Sequence, residues 1–439
     1  AKRLKDAKQA IKKAKKKGFG SKKLQALLSQ SKGVFDTKAS PQEKRLRLLE
    51  HYQKGRFSDA EKLATAISQE FPSDNFSWKI LGAVFKSTGR NSEAVNANQK
   101  AVALIPDDAE AHYNLGNTLE ELGRLEEAEA SYTQAIALKP NYPEARHNLV
   151  HMFSSYTSHK NSSQPIVVVD QEIKKIDLIE MSSRVISNDG IVQIFDKCSN
   201  IIKKYDLEIG THLSQVYRRN SIDLNCVRHK SVFDTYNVIP KFCFGCYKVQ
   251  VEPRSVLELI KLFVVFDQIK LVKNNTRKCM VEMRPEISGF YKGLIYCSSL
   301  EEAYQIAGYL EGVVKERIGI GLPLAIKRGC SEYSIAFPDY KAINKSGAQL
   351  MNYQDSWKLI EDDYDSIHPS NENRIISSSL SCLSLSDILI IRNWFDYSKG
   401  IGDSSIQLLS LDEVNSQQMF KSAQARLETH PWREPALEL

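Results

Sequence analysis

A chain of 439 residues has room for two or three cores of ordinary size. With 42% hydrophobic and 26% charged residues, it is neither a disordered nor a collagen-like polymer. No apolar run reaches the ~18 residues of a membrane span. The richest, residues 256–271, is interrupted by Glu258, Lys261, Asp267 and Lys270.

The net charge of +7 is unevenly placed. Residues 1–24 hold eleven Lys or Arg against the single acid Asp6, a surplus of +10, so the rest of the chain sums to −3. Leu4, Ala7, Ile11 and Ala14 recur at helical spacing until Gly18 and Gly20 stop the pattern. We expect residues 1–40 to be a basic helical tail. In it Lys12, Lys13, Lys15, Lys16 and Lys17 form a clamp for nucleic acid or an anionic membrane surface. The competing reading is a solvated arm, since no aromatic residue interleaves the lysines before Phe19. No apolar secretory stretch opens the sequence. We therefore expect a cytoplasmic, bacterial protein whose eight cysteines are reduced thiols or metal ligands.

Internal repetition dominates residues 41–155. From Ala109 the chain reads AEAHYNLGNTLEELGRLEEAEASYTQAIALKP, with His112, Leu115, Gly116, Leu119, Ala128, Tyr132, Ala135 and Pro140 as anchors. One step of 34 residues back lie Trp78, Leu81, Gly82, Phe85, Ala94, Ala101 and Pro106; a degenerate copy holds Leu48, His51, Ala60, Ala64, Ile67 and Pro72. A closing half-repeat holds His147, Leu149 and Phe153. Small residues let paired helices approach, and no single repeat buries its own apolar face.

This pattern resembles the tetratricopeptide repeat (TPR) family, and residues 75–150 resemble TPR arrays of the O-GlcNAc-transferase type. The resemblance implies an all-α superhelix whose concave side grips a protein or peptide partner. It also implies that asparagines on the first helices clasp an extended peptide backbone, a role that falls here to Asn114 and Asn148. Leu46 and Ile80 take that place in the earlier repeats, which shortens any such ladder.

Residues 156–165 are polar and serine-rich and read as a linker. Beyond them, residues 166–169 have strand character and residues 190–205 helical periodicity. Residues 242–251 then predict a strand, 255–271 a helix, and 277–284 and 291–297 two strands joined by a turn at 285–289. A helix follows that Ser299 and Glu302 cap, and a last strand or bent strand pair falls within 324–337. The order β-α-β-β-α-β predicts a ferredoxin-like core in a cysteine-bearing α+β domain, residues 166–345. Residues 346–439 read as a helical extension. The whole is multidomain, an all-α TPR superhelix followed by an α/β domain.

Six cysteines fall between Cys226 and Cys330. Cys243 and Cys246 have chelating spacing, and an antiparallel sheet of this order carries Cys279 and Cys297 toward them. These four are candidate ligands for zinc or an iron–sulfur cluster, with Cys226, His229 and Cys330 as alternates. If Arg284 pairs with Tyr291, Cys279 and Cys297 face opposite ways. Strand cysteines also serve as small buried hydrophobes.

Basic strings at residues 217–220, 277–278 and 327–328 are placed to grip an anionic substrate or to polarise a thiol near Cys330. Glu282, Arg284 and Glu332 supply acid–base groups if they share a face. Residues 292–296 resemble the third strand of an RNA-recognition motif, with Tyr296 and Tyr247 as the available rings. The expected function is capture of a polypeptide by the repeats and its modification or regulation by a metal-binding domain. The alternative is a non-catalytic adaptor, binding RNA through the tail and an RNA-recognition-like sheet. Whether the chain is an enzyme stays open at this stage.

Overall fold

The computed structural model describes residues 40–159, 161–176, 185–219, 224–345, 348–368, 379–409 and 416–432. The lysines of the tail lie outside the described residues. Two compact units divide the chain between Asn114 and Leu115.

The first unit begins with helix α1 (Pro41–Gln53), opened by a capping box in which Ser40 and Glu43 exchange hydrogen bonds. There follow α2 (Phe57–Glu70), α3 (Asn75–Ser87), α4 (Asn91–Leu104) and the start of α5 (Ala109–Glu121). Leu48, Ala60, Ala64, Ile67, Ile80, Leu81, Val84 and Ala97 form its core.

The predicted period reappears in the backbone. Gly55, Gly89 and Gly123, each 34 residues from the next, adopt φ of +67°, +77° and +70°. That left-handed conformation ends the first helix of every repeat without the penalty a Cβ would bring. Trp78 donates its indole N–H to the carbonyl of Pro72, and the ring of His112 bonds the carbonyl of Pro106, the same contact one period on.

The second unit continues with α6 (Leu125–Leu138), α7 (Pro143–Met152), α8 (Pro165–Lys174) and α9 (Asn188–Lys204). Residues 166–169, expected as a strand, lie in α8. Pro165 starts the helix, and Ile166, Val167, Val169 and Ile173 are buried at helical spacing.

Strand β1 (Gln215–Arg218) leads to α10 (Cys226–Tyr236), the short α11 (Lys241–Phe244) and β2 (Tyr247–Val251). Next come α12 (Val256–Gln268), β3 (Arg277–Val281), β4 (Tyr291–Cys297), α13 (Leu300–Arg317) and β5 (Leu324–Arg328). The chain closes with α14 (Ser331–Ala336), α15 (Pro338–Lys341), α16 (Asp355–Ile367), α17 (Leu385–Ile401) and α18 (Gln417–Leu427).

The five strands form one antiparallel sheet in the order β1-β3-β4-β2-β5. Three expected strand boundaries move. The strand expected at 277–284 ends at Val281. Residues 241–244 turn as a helix before β2, and the segment after β5 coils into α14.

The β3–β4 register also differs from expectation. Val281, not Arg284, pairs with Tyr291, which puts Cys279 opposite Gly293. Gly293 marks the face that α12 covers, because a Cβ there would lie 2.3 Å from Leu262 Cδ2 and 3.1 Å from the Phe266 ring. On that face are Val249, Val251, Ile295 and Cys297. Helix α17 is buried along almost its whole length, with Trp394 and Tyr397 fully enclosed.

Candidate functional site

Strand side chains alternate between faces, so the residues turned away from α12 follow from the register. They are Gln215 and Tyr217 on β1, Lys278 and Met280 on β3, Lys292, Leu294 and Tyr296 on β4, Lys248 and Gln250 on β2, and Lys327 on β5. Together they floor a cavity of about 680 Å³ whose walls come from α10, α11 and α14, a volume suited to a small organic ligand.

Four lysines on a single sheet face is an unusual floor, and they are not equivalent. Lys292 donates to Glu282 at 2.8 Å; Arg284 bonds Glu282 at 2.8 Å and Glu332 at 2.5 Å. The acid–base candidates thus converge in one neutralised chain at the rim. The other three lysines have no carboxylate partner among the described residues. Lys248 Nζ lies 3.4 Å from Cys330 Sγ and 5.0 Å from the centre of the Tyr296 ring. Lys278 donates to Gln215 Oε1 at 3.2 Å, and Lys327 to Ser331 Oγ at 2.9 Å.

Burial, and then repulsion from Lys248, bring Lys278 and Lys327 down to about 8. Burial works against the Lys248 ammonium as well. Attraction from the anionic forms of Cys330, Tyr296, Cys246 and Cys226 outweighs that and holds it above the ordinary lysine range.

The expected cysteine cluster does not assemble. Cys279 and Cys297 share the face under α12, but four positions of β4 separate their levels, roughly 13 Å at strand rise. Zinc–sulfur bonds of about 2.3 Å cannot span that. Cys243 is buried in α11 with its Sγ 3.9 Å from the Tyr333 hydroxyl. Burial pushes Cys297 up to about 12 and Cys246 up to about 11. Cys226, Cys246, Cys330 and His229 do line the cavity, with His229 stacked on Phe242 at 5.0 Å. Among the described residues no group of three or more His, Cys, Asp or Glu is placed to hold a metal.

Of the basic strings, Lys278 and Lys327 enter the cavity, whereas Arg218, Arg277 and Arg328 turn to the opposite face. Tyr247 pairs with Cys297 on the covered face, so Tyr296 and Tyr247 do not share a surface. The reading of the residues missed Lys248, and it took Tyr217 only as part of a basic string. The polar–apolar alternation of Tyr247-Lys248-Val249-Gln250-Val251 was the available signal.

In the repeats, a Cβ on Gly116 would lie 2.7 Å from the Tyr132 ring, the close helix approach the motif demands. The Tyr132 hydroxyl donates to Asn117 at 2.8 Å, and Asn148 Nδ2 donates to the same Asn117 Oδ1 at 2.7 Å. Asn114 is half-buried, and its carbonyl accepts from Asn98 at 3.2 Å.

Helix pairs repeating every 34 residues define a helical-repeat protein. The repeats are tetratricopeptide repeats: the family model described as "Tetratricopeptide repeat" matches residues 109–142, and "TPR repeat" matches 82–123. No curated protein matches the chain in sequence. Among solved structures, a mutant O-GlcNAc transferase of Thermobaculum terrenum is 24% identical over 31% of this chain, with a TM-score of 0.27. The match spans only 27% of that transferase. The first TPR domain of Spaghetti (RPAP3) bound to an HSP90 peptide is 21% identical over 25% of this chain and 86% of that one, TM-score 0.24. The type III secretion chaperone SycD of Yersinia enterocolitica, in complex with a YopD peptide, is 22% identical over 24% and 82%, TM-score 0.23.

Proposed function

We propose that the repeats capture an extended polypeptide and that the sheet-bearing region modifies or regulates what is captured. The observation that carries this reading is the recurrence of one turn geometry at Gly55, Gly89 and Gly123. It gives each repeat the same helix hairpin, and repeats of this family use such hairpins to present first-helix side chains to a peptide. Asn148, oriented by its bond to Asn117, and Asn114 are the proposed backbone contacts. A side-chain amide both donates and accepts, as an extended peptide requires.

We read the sheet with α12 and α13 as a ferredoxin-like core. The strand sequence β5-β2-β4-β3 and the chain order β-α-β-β-α-β support this, with β1 added beside β3. That fold serves many chemistries, so the activity has to come from its site.

The test is binding of an array of unstructured 12-residue peptides to the full chain and to its Asn114→Ala and Asn148→Ala variants. For the peptides that bind, each variant is expected to weaken affinity about tenfold with unchanged helicity, in line with the loss of one or two buried hydrogen bonds. Equal affinity in both variants would overturn the assignment of these contacts, and failure of every peptide to bind would overturn the capture reading.

A further inference from the structure

The sheet floor, which the peptide-capture reading does not use, holds three lysines, Lys248, Lys278 and Lys327, that pair with no carboxylate among the described residues; their partners are a thiol, an amide and a hydroxyl. Lys248 is only 5% exposed. Lys248 and Lys327 are direct cross-strand neighbours, an arrangement that like charges destabilise. Buried charge left unpaired is unfavourable, so a chain that concentrates it in one cavity has the charge pattern of a site completed by an anion. We propose that this cavity binds a small organic phosphate, its phosphoryl group seated among Lys248, Lys278 and Lys327.

Three features select that class. Lysines are compact point charges with rotatable donors, and three of them around one spot match the multiple charge of a phosphoryl group better than the single charge of a carboxylate. The guanidinium at the rim, Arg284, is already held by Glu282 and Glu332. The cavity, about 680 Å³, far exceeds one phosphate ion. Beside the lysines it offers Met280 and Leu294 together with the rings of Tyr217 and Tyr296. A ligand with a sugar or aromatic body attached to its phosphate fits that mixture of charge and apolar surface.

The experiment titrates the full-length chain calorimetrically with inorganic phosphate, ribose 5-phosphate, adenosine monophosphate and succinate. At least one of the two phosphate esters is expected to bind tenfold or more tightly than inorganic phosphate, and succinate more weakly still. Lys278→Gln and Lys327→Gln are each expected to lower that affinity tenfold or more. Both variants should also melt at or above the temperature of the unliganded parent, because each removes an uncompensated charge. Succinate binding as tightly as the esters would overturn the phosphate assignment. Failure of both esters to bind, or unchanged affinity in both variants, would overturn the site. Variants that melt well below the parent would show the lysines to be structural, which also overturns it.

Discussion

Glu282 has no exposed surface, and burial alone would raise its pKa. Hydrogen bonds from Arg284 and the charge of Lys292 outweigh that and hold the carboxyl down to about 2. A carboxyl lowered in the folded state stabilises the fold above its unfolded pKa, and the contribution disappears as pH falls from about 4.5 toward 2. Glu282→Gln should therefore flatten the pH dependence of the urea midpoint between pH 5 and 2. At pH 7 it should cost about 3 kcal/mol, because it leaves Lys292 buried beside a neutral amide. If the variant keeps the parent's slope below pH 5, the ion-pair chain is not the source of acid sensitivity. The same reasoning explains why the candidate site was only half legible. Lys278 and Lys327 stood out as members of basic strings, but their arginine neighbours point through the sheet to the other face. Lys248 has no basic neighbour in the chain, and only its place on β2 brings it beside Lys327.

At the scale of elements, the repeats were legible because a 34-residue period carries its own register. Each small or large residue has a counterpart one step away, and the glycine turns confirm the spacing in the backbone. The sheet carries no such repetition. Strand β1 is four residues long at a sheet edge, too short for alternation to show. The apolar run at 166–169 fits a strand as well as one turn of buried helix, and Pro165 decided for the helix. The β3–β4 register depends on where pairing stops, which the packing of α12 sets through Gly293. Gly293→Ala would push a methyl into Leu262 and Phe266, so it should destabilise the protein by about 1–3 kcal/mol as α12 is displaced. Urea unfolding measures this, and a stability within 0.5 kcal/mol of the parent, at about the scatter of neutral surface changes, would mean the helix shifts freely. A change of that size at Gly293 would leave the register unexplained.

The whole molecule has its charge divided against itself. Residues 1–24 carry a surplus of +10 in a chain of net +7, so everything after them is slightly acidic. Long-range attraction to a polyanion is therefore expected to come from the tail, where the surplus of positive charge is concentrated. Lys12, Lys13, Lys15, Lys16 and Lys17 crowd five charges into six positions. Contact with duplex DNA would release about one counterion per lysine, giving a slope of roughly −4 to −5 in log affinity against log salt. Deleting residues 1–24 should remove that binding at low salt, and it should remove adsorption to vesicles rich in phosphatidylserine, where each lysine contributes about 1 kcal/mol. The cavity lysines make a useful internal control, because a small phosphate ester should still bind the shortened chain. If the shortened chain holds DNA and vesicles as tightly as the parent at low salt, the tail is a solvated arm and the polyanion contact lies elsewhere.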